Sequence, residues 1–222
     1  MCGRQRHAEV LALAEHPRLR RRRTHASLRY VFAGRVVDRV RCGHSAHRYR
    51  STAPLAVTIA TLAFTGMRAG ELQLLTRASI DLDQRWITIE TLKAKLTRVR
   101  PLRRVPIHDR LLPLLRAYLQ ERKLGPTNNV FNSRNMKLID LRRLNEQVKA
   151  VAASLSIPVG RAVDGLVVHS FHHFFETQAV NSNIPQQVID TWLGHTSDRS
   201  MGAHYYRLSD GDSHTMMARV QF

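Results

Sequence analysis

A change of pattern at Ser51 constrains this chain more than any other feature. Residues 1 to 50 hold thirteen arginines and no lysine, including the run Arg20 to Arg23, against only Glu9, Glu15 and Asp38. Their apolar residues keep a regular period only from Glu9 to Glu15 and from Leu28 to Val40. This stretch therefore reads as a basic N-terminal extension, either an arm gripping phosphates or a disordered or degraded leader. From Ser51 the pattern becomes organised, and residues 51 to 222 read as one domain large enough to bury a core.

Within that domain, Leu55, Val57, Ile59, Leu62, Ala63 and Phe64 fill a helix. It starts near Pro54, which suits a first helical turn, and stops at Gly66. A second helix is expected over Ala69 to Leu75, with Arg68 at its entry. Arg85 to Glu90 alternates apolar and polar residues and predicts a strand, with Arg103 to Ile107 as its partner across a basic hairpin. Further helices are expected at about 109 to 123, 140 to 155, 169 to 181, 185 to 193 and 198 to 206, and Pro158 to Gly165 reads as a loop. The expected fold class is mostly α with a small antiparallel β-sheet, α+β.

The formal charge of +18 and the pI near 11.3 exceed what solubility requires and call for a polyanionic partner, either nucleic acid or an anionic membrane surface. No run of eighteen apolar residues exists, so a membrane span is not expected. The short apolar stretch Val10 to Ala14 runs into Glu15, His16 and arginines, unlike a secretory signal, and the expected compartment is the cytoplasm. The two cysteines, Cys2 and Cys42, are too few for a disulfide framework. Cys42, His44 and His47 lack a fourth metal ligand at sensible spacing, and His169, His172 and His173 lack an acidic or thiolate companion. No metal and no cofactor is expected.

Four segments carry chemistry. They are Thr65-Gly-Met-Arg68-Ala-Gly-Glu71-Leu72, His169-Ser-Phe-His172, Leu193-Gly-His195, and the pair Tyr205-Tyr206. A phenol attacking a phosphodiester needs cationic donors around the phosphate, because the transition state carries negative charge. Arginine and histidine supply them. His169 and His172, spaced i, i+3, project from one helix face toward the same place.

Together these segments resemble the C-terminal catalytic domain of the tyrosine recombinases, the phage-integrase family of site-specific DNA recombinases. That family's boxes read roughly T-G-x-R-x-x-E-L, H-x-x-R and L-G-H, followed by a tyrosine, and the likeness runs from about Ser51 to Arg219. The resemblance implies a transesterification without metal or ATP. Tyr205 would attack a phosphate of double-stranded DNA, forming a 3′-phosphotyrosine link and freeing a 5′ hydroxyl. Tyr206 is the rival nucleophile, because the interval after His195 is slightly longer than the family's usual spacing. Arg68 would hold a non-bridging oxygen with its planar fork, and Glu71 would orient Arg68 or the neighbouring backbone. His169 would join it over the phosphate, and His195 would hydrogen-bond the phosphate or the phenol. Lys95, or else Lys93, would act as general acid toward the leaving 5′ oxygen. Arg98, Arg100, Arg103 and Arg104 read as sequence-independent phosphate contacts. Family members act as tetramers on DNA, so a homo-oligomer is expected there.

One residue departs from the pattern. His172 stands where the family carries its second catalytic arginine. It is shorter, offers at most two donors rather than five, and is only partly charged near neutral pH. Losing one preorganised donor typically costs on the order of a hundred- to a thousand-fold in rate. The expectation is an impaired recombinase, with a catalytically dead DNA-binding remnant as the alternative. The family's N-terminal DNA-clamping domain is not recognisable in residues 1 to 50. The tail after Tyr206, with Met216, Met217 and Val220, is expected either to dock on a neighbouring protomer or to cap its own domain.

Overall fold

Helix α1 (Ala53–Thr65) is enclosed on every side, and from Val57 onward all of its residues are buried. Such a helix must be apolar all round. Its threonines are compatible with that setting because Thr58, Thr61 and Thr65 each turn their hydroxyl back to the carbonyl one turn earlier, at 2.6 to 2.8 Å. The computed structural model describes residues 53–91, 102–132, 137–160, 165–195 and 209–222.

Around α1 stand α3 (Leu112–Arg122), α4 (Leu141–Ser154) and α5 (Ser170–Asn181). Each buries a helical stripe: Leu144, Val148 and Ala152 on α4, and Phe171, Phe174, Phe175 and Ala179 on α5. The start of α4 is fixed by Asp140, whose carboxylate accepts from the amides of Arg142 and Arg143. The short helix α2 (Ala69–Leu74) packs on α4 and on the sheet.

The sheet has three antiparallel strands in sequence order, β1 (Ile80–Asp81), β2 (Trp86–Glu90) and β3 (Leu102–Pro106). Across β2 and β3, Ile87 pairs with Val105 and Ile89 with Arg103. All four are buried, so the inner face of the sheet carries an arginine among aliphatic residues. Helix α6 (Gln186–Leu193) lies between α5 and β3 and buries Val188, Ile189, Trp192 and Leu193.

Helices α1 to α6 and strands β2 and β3 fall close to their sequence expectations. The helix expected at about 198 to 206 lies outside the described residues. Strand β1 and helix α7 (Asp210–Arg219) were not anticipated. In the single chain the tail packs on its own domain. Helix α7 lies on β3, Met217 and Val220 are buried, and the Phe222 ring stands 4.5 Å from that of Phe64.

Candidate active site

Arg68 sits at the N-cap of α2 in extended backbone, where the turn from α1 ends. Its own amide donates to Glu71 Oε2 at 2.8 Å, and its Nη1 lies 3.4 Å from Glu71 Oε1. The Arg68 side chain is 22% exposed while that of Glu71 is fully buried. The carboxylate thus holds the guanidinium from behind and leaves its outer edge open, the orienting role expected of it.

A second arginine shares that carboxylate. Arg103 donates from Nη1 to Glu71 Oε1 at 3.0 Å and from Nη2 to Oε2 at 2.7 Å. It also donates from Nη1 to Thr91 Oγ1 at 3.0 Å and from Nε to the carbonyl of Trp192 at 2.8 Å. Burial by itself would raise the Glu71 carboxyl, but the hydrogen bond and charge of Arg103, with Arg68 behind it, hold it below the ordinary carboxylate range.

This corrects the expectation for Arg103. It was placed among the phosphate contacts, yet it is buried with its fork committed to the protein. The signal was present in the sequence: Arg103 alternates with Val105, which puts both on the inner face. Arg104, one residue on, points outward over the Trp86 ring at 4.1 Å and lies 3.2 Å from Asp210 on α7.

The imidazoles come in from the other side. Gly66 takes a φ of +63°, and a Cβ there would fall 2.6 Å from Leu193 Cδ2 and 2.7 Å from Phe175 Cδ1. Only glycine lets this turn press against α5 and α6. Its carbonyl oxygen then meets Nδ1 of His172. The His172 ring stacks on His169 with centroids 5.2 Å apart, and its Nε2 lies 3.3 Å from Nε2 of His195. His169 and His172 therefore share a face, as their spacing implied.

His172 is almost wholly buried. Burial, with the charges of Arg68, His169 and His195, pushes its pKa down to about 4 against the opposing pull of the Gly66 carbonyl. At neutral pH it is an uncharged ring. His195 follows Gly194, the left-handed cap of α6 at φ +66°, and its Nδ1 lies 3.6 Å from Asp190 Oδ1. Asp190 is a site residue that motif reading missed, because it lies upstream of the Leu-Gly-His box.

Arg68, His169, His172 and His195 are thus drawn together by α2, α5 and α6. An open groove of about 400 Å³, lined by Asn145, Lys149, Gly160, Val167 and Val168, reaches this cluster at His169. Tyr205, Tyr206, Lys93, Lys95, Arg98 and Arg100 lie outside the described residues. His173 lies beside them, its ring 4.8 Å from that of His169 and 5.7 Å from that of His172, with Nδ1 3.7 Å from Glu176 Oε2.

A half-open guanidinium backed by a buried carboxylate, with imidazoles beside it, makes an anion-receiving site on a mostly helical domain with a small sheet. The chain belongs to the phage integrase family, whose profile matches residues 41–211. A search of curated proteins found no match. Among solved structures, the XerA recombinase superposes with a TM-score of 0.58 at 21% identity, covering 84% of this chain and 61% of that one. The integrase of mycobacterium phage Brujita gives 0.60 at 15% identity, over 87% and 57%. The integrase of the Tn1549 transposon, in complex with transposon right-end DNA, gives 0.57 at 16% identity, over 84% and 63%. These likenesses are of fold, and the chain spans about three-fifths of each of those structures. Among the described residues no helix is long and apolar enough to cross a membrane.

Proposed function

We propose that this chain is a site-specific DNA recombinase or integrase that breaks and rejoins double-stranded DNA through a 3′-phosphotyrosine intermediate, with activity lowered by His172. The observation that carries the reading is the meeting of Arg68, His169 and His195 around a ring that replaces an arginine. Family membership supports it, as does the formal charge of +18.

In the proposed reaction Arg68 and His169 hold the non-bridging oxygens of the scissile phosphate, and His195 hydrogen-bonds the phosphate or the attacking phenol. The Tyr205 hydroxyl gives up its proton to a base of the site or to water as its oxygen bonds to phosphorus, the bond from phosphorus to the 5′ oxygen breaks, and Lys95 or Lys93 protonates that leaving oxygen. The new link is reversed when another 5′ hydroxyl attacks it. Assembly as a tetramer on DNA belongs to the same proposal, with Arg98, Arg100 and Arg104 as backbone contacts.

The test is a nicked suicide substrate that traps covalent protein–DNA adduct. Adduct carried by Tyr205 supports the reading. A second reading, a DNA-binding remnant without catalysis, is favoured by the uncharged state of His172. It would give salt-sensitive DNA binding and no adduct even after long incubation.

A further inference from the structure

We propose that His172 and His195 form a two-imidazole site for one divalent transition-metal ion of the zinc class, held between their Nε2 atoms. The site rests on the geometry of the two rings; the consequence for catalysis rests on the recombinase reading above.

Two imidazoles on one tetrahedral ion, with ion–nitrogen bonds of about 2.0–2.1 Å, stand with their ligating nitrogens about 3.3 Å apart and their ring centres about 5.2 Å apart. Here the two Nε2 atoms are 3.3 Å apart and the ring centres 5.4 Å apart. The same spacing suits the hydrogen bond that the rings make with each other, so the far side of each ring matters. His172 Nδ1 meets the Gly66 carbonyl oxygen, which only accepts. The hydrogen of that ring is therefore on Nδ1, and its Nε2 presents a lone pair to the gap. In the free pair His195 meets this lone pair with its Nε2 hydrogen. With an ion in the gap, that hydrogen sits on His195 Nδ1, on the side of the Asp190 carboxylate, which at 3.6 Å is just outside hydrogen-bond length. The change is one of tautomer, and no net proton is lost. Each ring then turns its second nitrogen toward an acceptor, the usual support of a metal-ligating histidine.

The fold builds the pair, and the spacing along α5 does not. The histidines of α5 have no ligand companion in sequence, and the end of α6 supplies one. Gly194 in the left-handed conformation, with the bond from the His195 amide to the Asp190 carbonyl at 2.9 Å, brings His195 to His172. His172 is buried, while the His195 side chain is 29% exposed and gives an ion its way in. Among the described residues no group of three or more histidines, cysteines and carboxylates is placed to hold an ion, so the remaining positions fall to water or a phosphate oxygen. Imidazole ligands suit zinc, copper and nickel rather than magnesium or calcium. Arg68 faces His172 and opposes a second cation. A phosphate oxygen shared by guanidinium and ion offsets that repulsion. The ion then puts charge where the arginine missing at position 172 would.

The test titrates Zn²⁺ into the full chain with ¹⁵N-labelled histidine, free of DNA, at neutral pH. The Nε2 signals of His172 and His195 are expected to move together, with hydrogen on Nδ1 of both rings in the bound form. Unmoved signals, a shift of only one of the two rings, or binding confined to Cys42, His44 and His47 overturns the site. His172→Asn and His195→Asn are each expected to weaken binding at the remaining ring at least about tenfold. Undiminished affinity in either variant overturns it as well. The wild-type spectrum decides even where a variant does not fold. On the nicked substrate, Zn²⁺ is expected to raise adduct formation by the wild type about tenfold over chelated protein and to leave His172→Arg unchanged. No rise, or an equal rise in both, overturns the catalytic half of the proposal. Absence of adduct from every form, His172→Arg included, sinks the recombinase reading instead and leaves the titration to judge the site.

Discussion

Arg103 and Glu71, on β3 and α2, form a two-pronged ion pair inside the protein, with side chains 5% and 0% exposed. The pair joins the sheet to the turn that presents Arg68, and through the Trp192 carbonyl it also reaches the end of α6. Both flanks of the candidate active site are tied to one buried guanidinium.

That placement makes Arg103 a determinant of stability. Removing one partner of a buried pair leaves the other charge unsatisfied, at a cost of about 3–5 kcal/mol. Arg103→Ala is expected to lower the unfolding free energy by that amount in urea titrations. Arg104→Ala, which removes an exposed pair with Asp210, is expected to change it by less than about 1 kcal/mol. Equal and small effects would show that Arg103 is not structural.

Gly66 allows a similar test of the turn. Alanine there must adopt a left-handed backbone and overlap Leu193 and Phe175. Gly66→Ala is expected to cost about 2–4 kcal/mol, measured by thermal or urea unfolding.

Acid should weaken the fold through His172. Its folded pKa of about 4 lies below the ordinary value of 6.5, so as pH falls the unfolded chain takes up the proton first. Stability is therefore full above about pH 6.5 and declines toward pH 4, by at most about 3 kcal/mol. His108 is also shifted downward, by burial, and contributes in the same direction. The His172 share is isolated by difference: unfolding free energy plotted against pH should be flatter for His172→Asn than for the wild type. Parallel curves would mean that His172 titrates normally.

The helices were legible because their apolar residues recur at helical spacing, and Arg68, His169 and His195 because they sit in ordered boxes. Arg103 was misassigned because a basic hairpin in so cationic a chain invites a surface reading, although alternation with Val105 placed it inward. Asp190 escaped notice because its partnership with His195 depends on the left-handed turn at Gly194, which folds the chain back on the helix end. Helix α7 has a weak apolar pattern in sequence. Its order comes from long-range contacts, such as the bond from Trp192 Nε1 to Ser213 Oγ at 3.1 Å.

The identity of residue 172 gives the sharpest test of the chemistry. An arginine there could donate to the Gly66 carbonyl and extend past the histidine position toward the phosphate, with charge that does not depend on pH. His172→Arg is expected to raise the initial rate of adduct formation on the nicked substrate by about a hundred- to a thousand-fold. Forcing a longer side chain into this packed site costs about 1–3 kcal/mol, so the rate is to be normalised to folded protein. In this background Tyr205→Phe should abolish the adduct, since no oxygen remains to attack phosphorus, and Tyr206→Phe should keep it. If instead Tyr206→Phe is the change that removes the adduct, the nucleophile is Tyr206. If neither phenol matters while adduct persists, the phosphotyrosine mechanism is wrong.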